Sequence, residues 1–124
     1  MRIKRFEDLE SWKKSRELVN MVYEYIRSSE FSKDFRLSGQ ITGAAISIMN
    51  NISEGFDAGS NNEFIRFLRY SRRSCSEVQN CLYVAQDQNY ISQKQFEKAY
   101  THCEETRKVI DGLIRYLRKG QPTG

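Results

Sequence analysis

Residues 92–119, SQKQFEKAYTHCEETRKVIDGLIRYLRK, decide the architecture, because their apolar positions recur in an unbroken alternation of threes and fours. Phe96, Ala99, Cys103, Thr106, Ile110, Leu113 and Leu117 fall on one stripe of a helix. That spacing packs a helix against neighbours about twenty degrees from antiparallel. Ser92 and Gln95 open the segment as a capping box, and Gly120 and Pro122 close it. An isolated helix is unstable in water, so the stripe requires partners to cover it.

Three upstream stripes supply those partners. Ser60-Asn61-Asn62-Glu63 is a second capping box, preceded by Gly59 and followed by Phe64, Phe67, Leu68, Ser71, Cys75, Val78, Leu82 and Ala85. The first segment carries Leu9, Trp12, Ser15, Val19, Val22 and Ile26, with Asp8 as its expected N-cap and Ser32 as the cap of the next helix. Between them Leu37, Ile41, Ala44, Ala45, Ile48, Ile52 and Phe56 form the remaining stripe. The reading is an all-α chain of one domain, with helices over about residues 8–29, 33–57, 61–88 and 93–119. Short connections make consecutive helices antiparallel, which gives an up-down-up-down four-helix bundle.

Composition agrees with this and narrows the function. The 124 residues fit one domain, and a single proline among 29% charged residues favours a solvated helical surface over a sandwich rich in turns. A formal charge of +4 permits a polyanionic partner without requiring one. No apolar run reaches the length of a membrane span, and Met1-Arg2-Ile3-Lys4-Arg5 is not followed by a signal-peptide core. Cys75, Cys81 and Cys103 are odd in number and lack CxxC spacing, which suits free thiols in a reducing compartment. The expectation is a cytoplasmic protein that does not meet the membrane.

The second helix departs from the rest. From Leu37 to Phe56 the only formal charge is Glu54, in a chain otherwise dense in charge. Gln40, Gly43, Ser47, Asn50, Asn51 and Glu54 gather beside the apolar stripe at helical spacing. A polar but nearly uncharged face with small residues fits a subunit interface, where another backbone approaches closely. The competing reading is that these residues satisfy one another within a single bundle.

Catalytic chemistry finds little support. His102 is the only histidine, so it lacks a relay or a second metal ligand of its own kind, and it reads as a surface residue. The three cysteines fall on or beside apolar stripes, where a thiol behaves as a small hydrophobe. The glycines fit neither a P-loop nor a dinucleotide fingerprint. No metal, cofactor or small-molecule substrate is expected. The third helix instead carries Arg66, Arg69 and Arg73 on one side with Arg72 at the edge, and Tyr70 and Tyr83 beside them. Arginine with interleaved tyrosine suits phosphates and bases. The alternative is a salt-bridged face in which Glu63 and Glu77 neutralise the arginines. Further basic residues, Arg2, Lys4 and Arg5 and then Arg115, Arg118 and Lys119, are expected near opposite ends of the bundle.

The runs Phe6-Glu7-Asp8-Leu9-Glu10-Ser11-Trp12-Lys13 and QITGAAISIMNNISEGFDAGSNNEFIRFLRYSRRSCSEVQNCL resemble the four-helix-bundle family encoded by intervening sequences of bacterial 23S ribosomal RNA genes. The most specific match is Ser47-Ile48-Met49-Asn50-Asn51-Ile52-Ser53-Glu54-Gly55 followed by Phe64-Ile65-Arg66-Phe67-Leu68. The chain departs from the family pattern at Thr42-Gly43, where arginines are common, and at Met49, where proline is frequent. The resemblance implies a homo-oligomer, a pentameric ring, without established enzymatic activity, in which Asn51, Glu54 and Gly55 hold interhelical or intersubunit contacts. It is more distantly similar to the accessory protein of diversity-generating retroelements, which binds a reverse transcriptase and nucleic acid. The expected function is therefore an oligomeric module associated with RNA or DNA, with Arg66, Arg69, Arg72 and Arg73 on phosphates. A protein-interaction scaffold is the second reading and a hydrolase the third.

Overall fold

The computed structural model describes residues 3–120. They form four long helices, α1 (Glu10–Arg27), α2 (Phe35–Phe56), α3 (Asn61–Asp87) and α4 (Gln93–Lys119), with single 3-10 turns at Phe6–Asp8 and Glu30–Lys33. There is no strand among the described residues, and the chain is an all-α four-helix bundle. Each helix packs on two others, α1 and α3 both lying between α2 and α4. Side-chain contacts give the directions. On α3 and α4, Asn61 reaches Leu117 while Gln79 reaches Arg107; on α1 and α4, Lys14 meets Glu105 while Tyr25 meets Gln95. Both pairings run in opposite order along the two helices and are therefore antiparallel.

Fully buried Leu18, Ile41, Ile48, Leu68, Leu82 and Ile110 fill the centre, one or two from each helix. The apolar stripes lie close to their expected places, with two shifts. In α1 the buried line is Ser11, Ser15, Leu18, Val22 and Tyr25, and the expected Trp12, Val19 and Ile26 flank it half-buried. In α4 Ile114 takes the inner position between Ile110 and Leu117, and Leu113 flanks it. A straight helix of 3.6 residues per turn drifts against a seven-residue repeat, so strict alternation of threes and fours displaces single inner positions by one residue. Buried Ser15 donates to Ser11 O at 2.6 Å, as hydroxyls inside helices do.

Two expected caps are corrected. Asp8 lies in the first 3-10 turn, and Leu9 stands at the N-cap of α1 without a side-chain bond, so the helix begins later than expected. At α2 the cap is Asp34, whose carboxylate accepts from Leu37 N at 3.0 Å, whereas the expected Ser32 lies inside the second 3-10 turn. The box at α4 is complete: Ser92 Oγ accepts from Gln95 N and Gln95 Oε1 from Ser92 N. At α3 only Ser60 acts as expected, accepting from Glu63 N at 3.2 Å. The Glu63 carboxylate turns instead to Arg66. Gly120 follows α4, and Pro122 lies outside the described residues.

The closest helix pair is α2 with α3. A Cβ built on Gly55 would lie 2.8 Å from Phe67 Cβ and 2.9 Å from Phe64 Cδ1. Glycine is what allows the two backbones to meet there. Further along, Ser71 Oγ donates to Ile48 O at 2.9 Å and Ser74 Oγ to Ser47 Oγ at 3.0 Å, so small hydroxyls continue the contact. This packing fixes the side of α3 that turns outward toward α4.

Candidate nucleic-acid interface

Arg69, Arg72 and Ser76 recur at three- and four-residue steps along α3, which aligns them on the edge facing α4. The antiparallel α4 brings Arg107 and Asp111 opposite them. Arg72 Nε meets Asp111 Oδ1 at 2.7 Å, and Arg107 Nη2 donates to Gln79 Oε1 at 2.6 Å and to Ser76 Oγ at 3.0 Å. The result is an open cleft of about 320 Å³ lined by Arg69, Arg72, Arg73, Ser76 and Arg107.

The charges of this cleft are largely uncompensated. Arg72 has a carboxylate partner, but Arg107 is held by a neutral amide and a hydroxyl. Arg73 lies over the Tyr70 ring at 5.6 Å, and Arg69 makes no hydrogen bond, ion pair or ring contact among the described residues. Like charges held this close raise the local potential and attract an anion with several acceptor oxygens. A guanidinium already tied to neutral groups keeps both its charge and its orientation.

The structure separates one member of the expected arginine set. Arg66 pairs with Glu63 at 2.8 Å, donates to Tyr70 Oη at 3.2 Å and lies over the Phe67 ring at 5.2 Å. Glu63 first and Tyr70 second hold its proton more firmly than usual. Arg66 therefore belongs to a neutralised patch beside the cleft. The expected Glu77 makes no ion pair among the described residues. Tyr70 is likewise occupied, with the guanidiniums of both Arg66 and Arg73 at its ring, whereas Tyr83 is half exposed.

Sequence reasoning missed Arg107, which reads as part of the charged outer face of α4. Its signal is its place four residues after buried Cys103, on the flank of the inner stripe. Lys4 and Arg5 are also relocated. The antiparallel pairing of α1 with α4 puts them at the same end of the bundle as Arg115, Arg118 and Lys119, and Arg5 is paired with Glu7 at 2.8 Å. Arg2 lies outside the described residues.

The polar face of α2 divides in two. Gln40, Gly43, Asn50 and Glu54 are exposed, and a Cβ on Gly43 would meet nothing within 4 Å. Asn51 and Ser47 turn inward: Asn51 Nδ2 donates to Ser47 O at 2.9 Å, and Ser47 receives Ser74 from α3. These two are satisfied inside the bundle because they lie on the flank of α2 that leans on α3. Phe35, at the start of the same helix, is 84% exposed.

Other reactive groups are occupied by packing. His102 is not a surface residue: its side chain is 13% exposed, with Nε2 2.8 Å from Lys14 O and 3.5 Å from Glu17. It ties α4 to α1. Burial raises the Cys103 thiol and pushes Cys75 up to about 11. No group of three metal-ligating side chains converges among the described residues, and no described helix is long and apolar enough to cross a membrane.

A family model described as 23S rRNA-intervening sequence protein matches residues 7–112. A solved structure of a protein with unknown function, from the S23 ribosomal protein family of Bacteroides thetaiotaomicron VPI-5482, is similar with a TM-score of 0.74 and 28% identity. The match covers 85% of this chain and 98% of that one. No curated protein matches the chain.

Proposed function

The chain belongs to the 23S rRNA-intervening sequence protein family, and from that premise we propose that it is a non-enzymatic, homo-oligomeric module that binds the phosphate backbone of RNA or DNA. The observation that carries this reading is the α3–α4 cleft, where four guanidiniums stand against the single carboxylate of Asp111. Oligomerisation rests on α2, whose exposed Gln40, Gly43, Asn50 and Glu54 offer a face with one charge and an open backbone. A pentamer is the size that the family resemblance implies. Free thiols fit the cytoplasm.

Binding by phosphate neutralisation has a measurable signature, the release of counterions. With about three phosphates engaged, affinity falls roughly 20- to 40-fold between about 50 and 200 mM salt. Titrating labelled RNA and DNA across that range tests it, with Arg69→Gln expected to weaken binding and flatten the salt slope by about one. Absence of any complex at the lowest salt would end the proposal.

A protein-interaction scaffold is favoured by one separate observation, the exposure of Phe35 at the start of α2, the helix that carries the sparsely charged face. Pull-downs with and without nuclease separate the two readings. A partner that survives nuclease treatment supports the scaffold, and one that is lost was bridged by nucleic acid.

A further inference from the structure

Beyond the arginine cleft, the same α3–α4 seam carries an aromatic platform. On α3, Arg69, Ser76 and Tyr83 stand seven residues apart, two turns each, and so share one edge. On α4, Asp111, Arg107, Glu104 and Tyr100 descend the facing edge at three- and four-residue steps. At the far end Tyr83 lies over Phe96 with ring centroids 4.8 Å apart and meets Tyr100 edge-on at 5.7 Å. Phe96 is buried beneath, while Tyr83 is 50% exposed.

We propose that this α3–α4 groove binds a single nucleic-acid strand, its phosphates at Arg69, Arg73 and Arg107 and a base stacked on Tyr83. The inference deepens the phosphate-binding reading and rests on it. Three features favour a single strand over a duplex. First, the Tyr83 ring is fixed in advance, packed from below by Phe96 and edge-on against Tyr100. A ring held in place loses little freedom when a base settles on it. Second, charge and aromatic surface are separated along one line. From Arg69 to Tyr83 the helix rises about 21 Å, room for about six nucleotides at the 3.4 Å spacing of a stacked strand. Third, the bases of a duplex already stack on one another, leaving none for Tyr83, whereas unpaired bases on aromatic rings are the usual complement of a basic groove. Tyr70 cannot serve in this way because Arg66 and Arg73 occupy it. Glu104, between the two ends, disfavours a phosphate there and keeps the sites distinct.

The test uses fluorescence anisotropy on the full chain with labelled oligothymidine, oligouridine and a duplex of equal length at low salt. The expected result is single-strand binding at least about tenfold tighter than duplex binding, with the two homopolymers assigning DNA or RNA as the preferred strand. Tyr83→Leu, which keeps an apolar cover over Phe96 but has no aromatic face, weakens single-strand binding about tenfold and leaves the salt slope and duplex binding unchanged. Tyr83→Phe keeps the face and retains most of the affinity. Circular dichroism on both variants checks that the helices persist. Equal affinity for single strand and duplex, or full single-strand affinity in folded Tyr83→Leu, overturns this inference and leaves phosphate binding standing. Failure of every probe to bind overturns the phosphate reading and this inference with it.

Discussion

Gly55 and Gly39 lie on the same helix, yet one methyl group has opposite meanings at the two sites. At Gly55 it would press into Phe67 Cβ and Phe64, whereas at Gly39 it would meet nothing within 4 Å. Alanine in a helix gains about 0.5–1 kcal/mol over glycine through the unfolded chain, but overpacking costs about 1–3 kcal/mol. We expect Gly55→Ala to lower stability by about 1–2 kcal/mol and Gly39→Ala to raise it by about 0.5–1 kcal/mol, read from urea or thermal denaturation. Shifts of the same sign in both variants would contradict the close approach of α2 and α3. Gly55 was legible as part of a family-like signature. Its collision partners were not, because they depend on which turn of α3 lies opposite.

At the scale of the helix, α2 poses a separate question from its neighbours. The outward line through Gln40, Gly43, Asn50 and Glu54 carries a single charge in a chain rich in charge. Because Gly43 has open space around it, Gly43→Trp fits the isolated subunit and is expected to leave helicity unchanged while lowering the solution mass to that of one chain. Light scattering that shows the same mass before and after the substitution would remove α2 as the interface. Legibility also differed between elements for physical reasons. Helix α4, with a full capping box, began where its cap placed it. Helix α1 did not, because a preceding 3-10 turn took Asp8 out of capping reach. The arginine row on α3 follows from spacing within one helix. Arg107 and Asp111 join it only through the register between two helices, which spacing within one helix does not encode.

For the molecule as a whole, the two loops at one end are clasped together. Tyr90, beyond α3, donates its hydroxyl to Asp34 Oδ2 at 3.0 Å and stacks on buried Phe31 at 5.3 Å, while Asp34 also caps α2. The Leu37 amide first, and Tyr90 second, hold the Asp34 carboxyl below its ordinary 3.8. A carboxyl with a depressed value in the folded state adds stability above its unfolded value, and that contribution is lost as pH falls through the folded one. Asp34→Asn still offers a capping oxygen but does not titrate. We expect its deficit in Tm to be greatest near neutral pH and to shrink as pH falls below the ordinary carboxyl value of 3.8. A deficit that stays constant through the acid range would mean that the clasp does not depend on charge.

Cys75, Cys81 and Cys103 are all sequestered in the folded bundle, with Cys75 raised to about 11 and Cys103 also raised. Their shelter lasts only while the helices stay together. Unfolding in air releases three thiols of ordinary acidity, and an odd number cannot all join within one molecule. Intermolecular cross-linking then competes with refolding, so without a reductant a reversible equilibrium becomes a one-way ratchet.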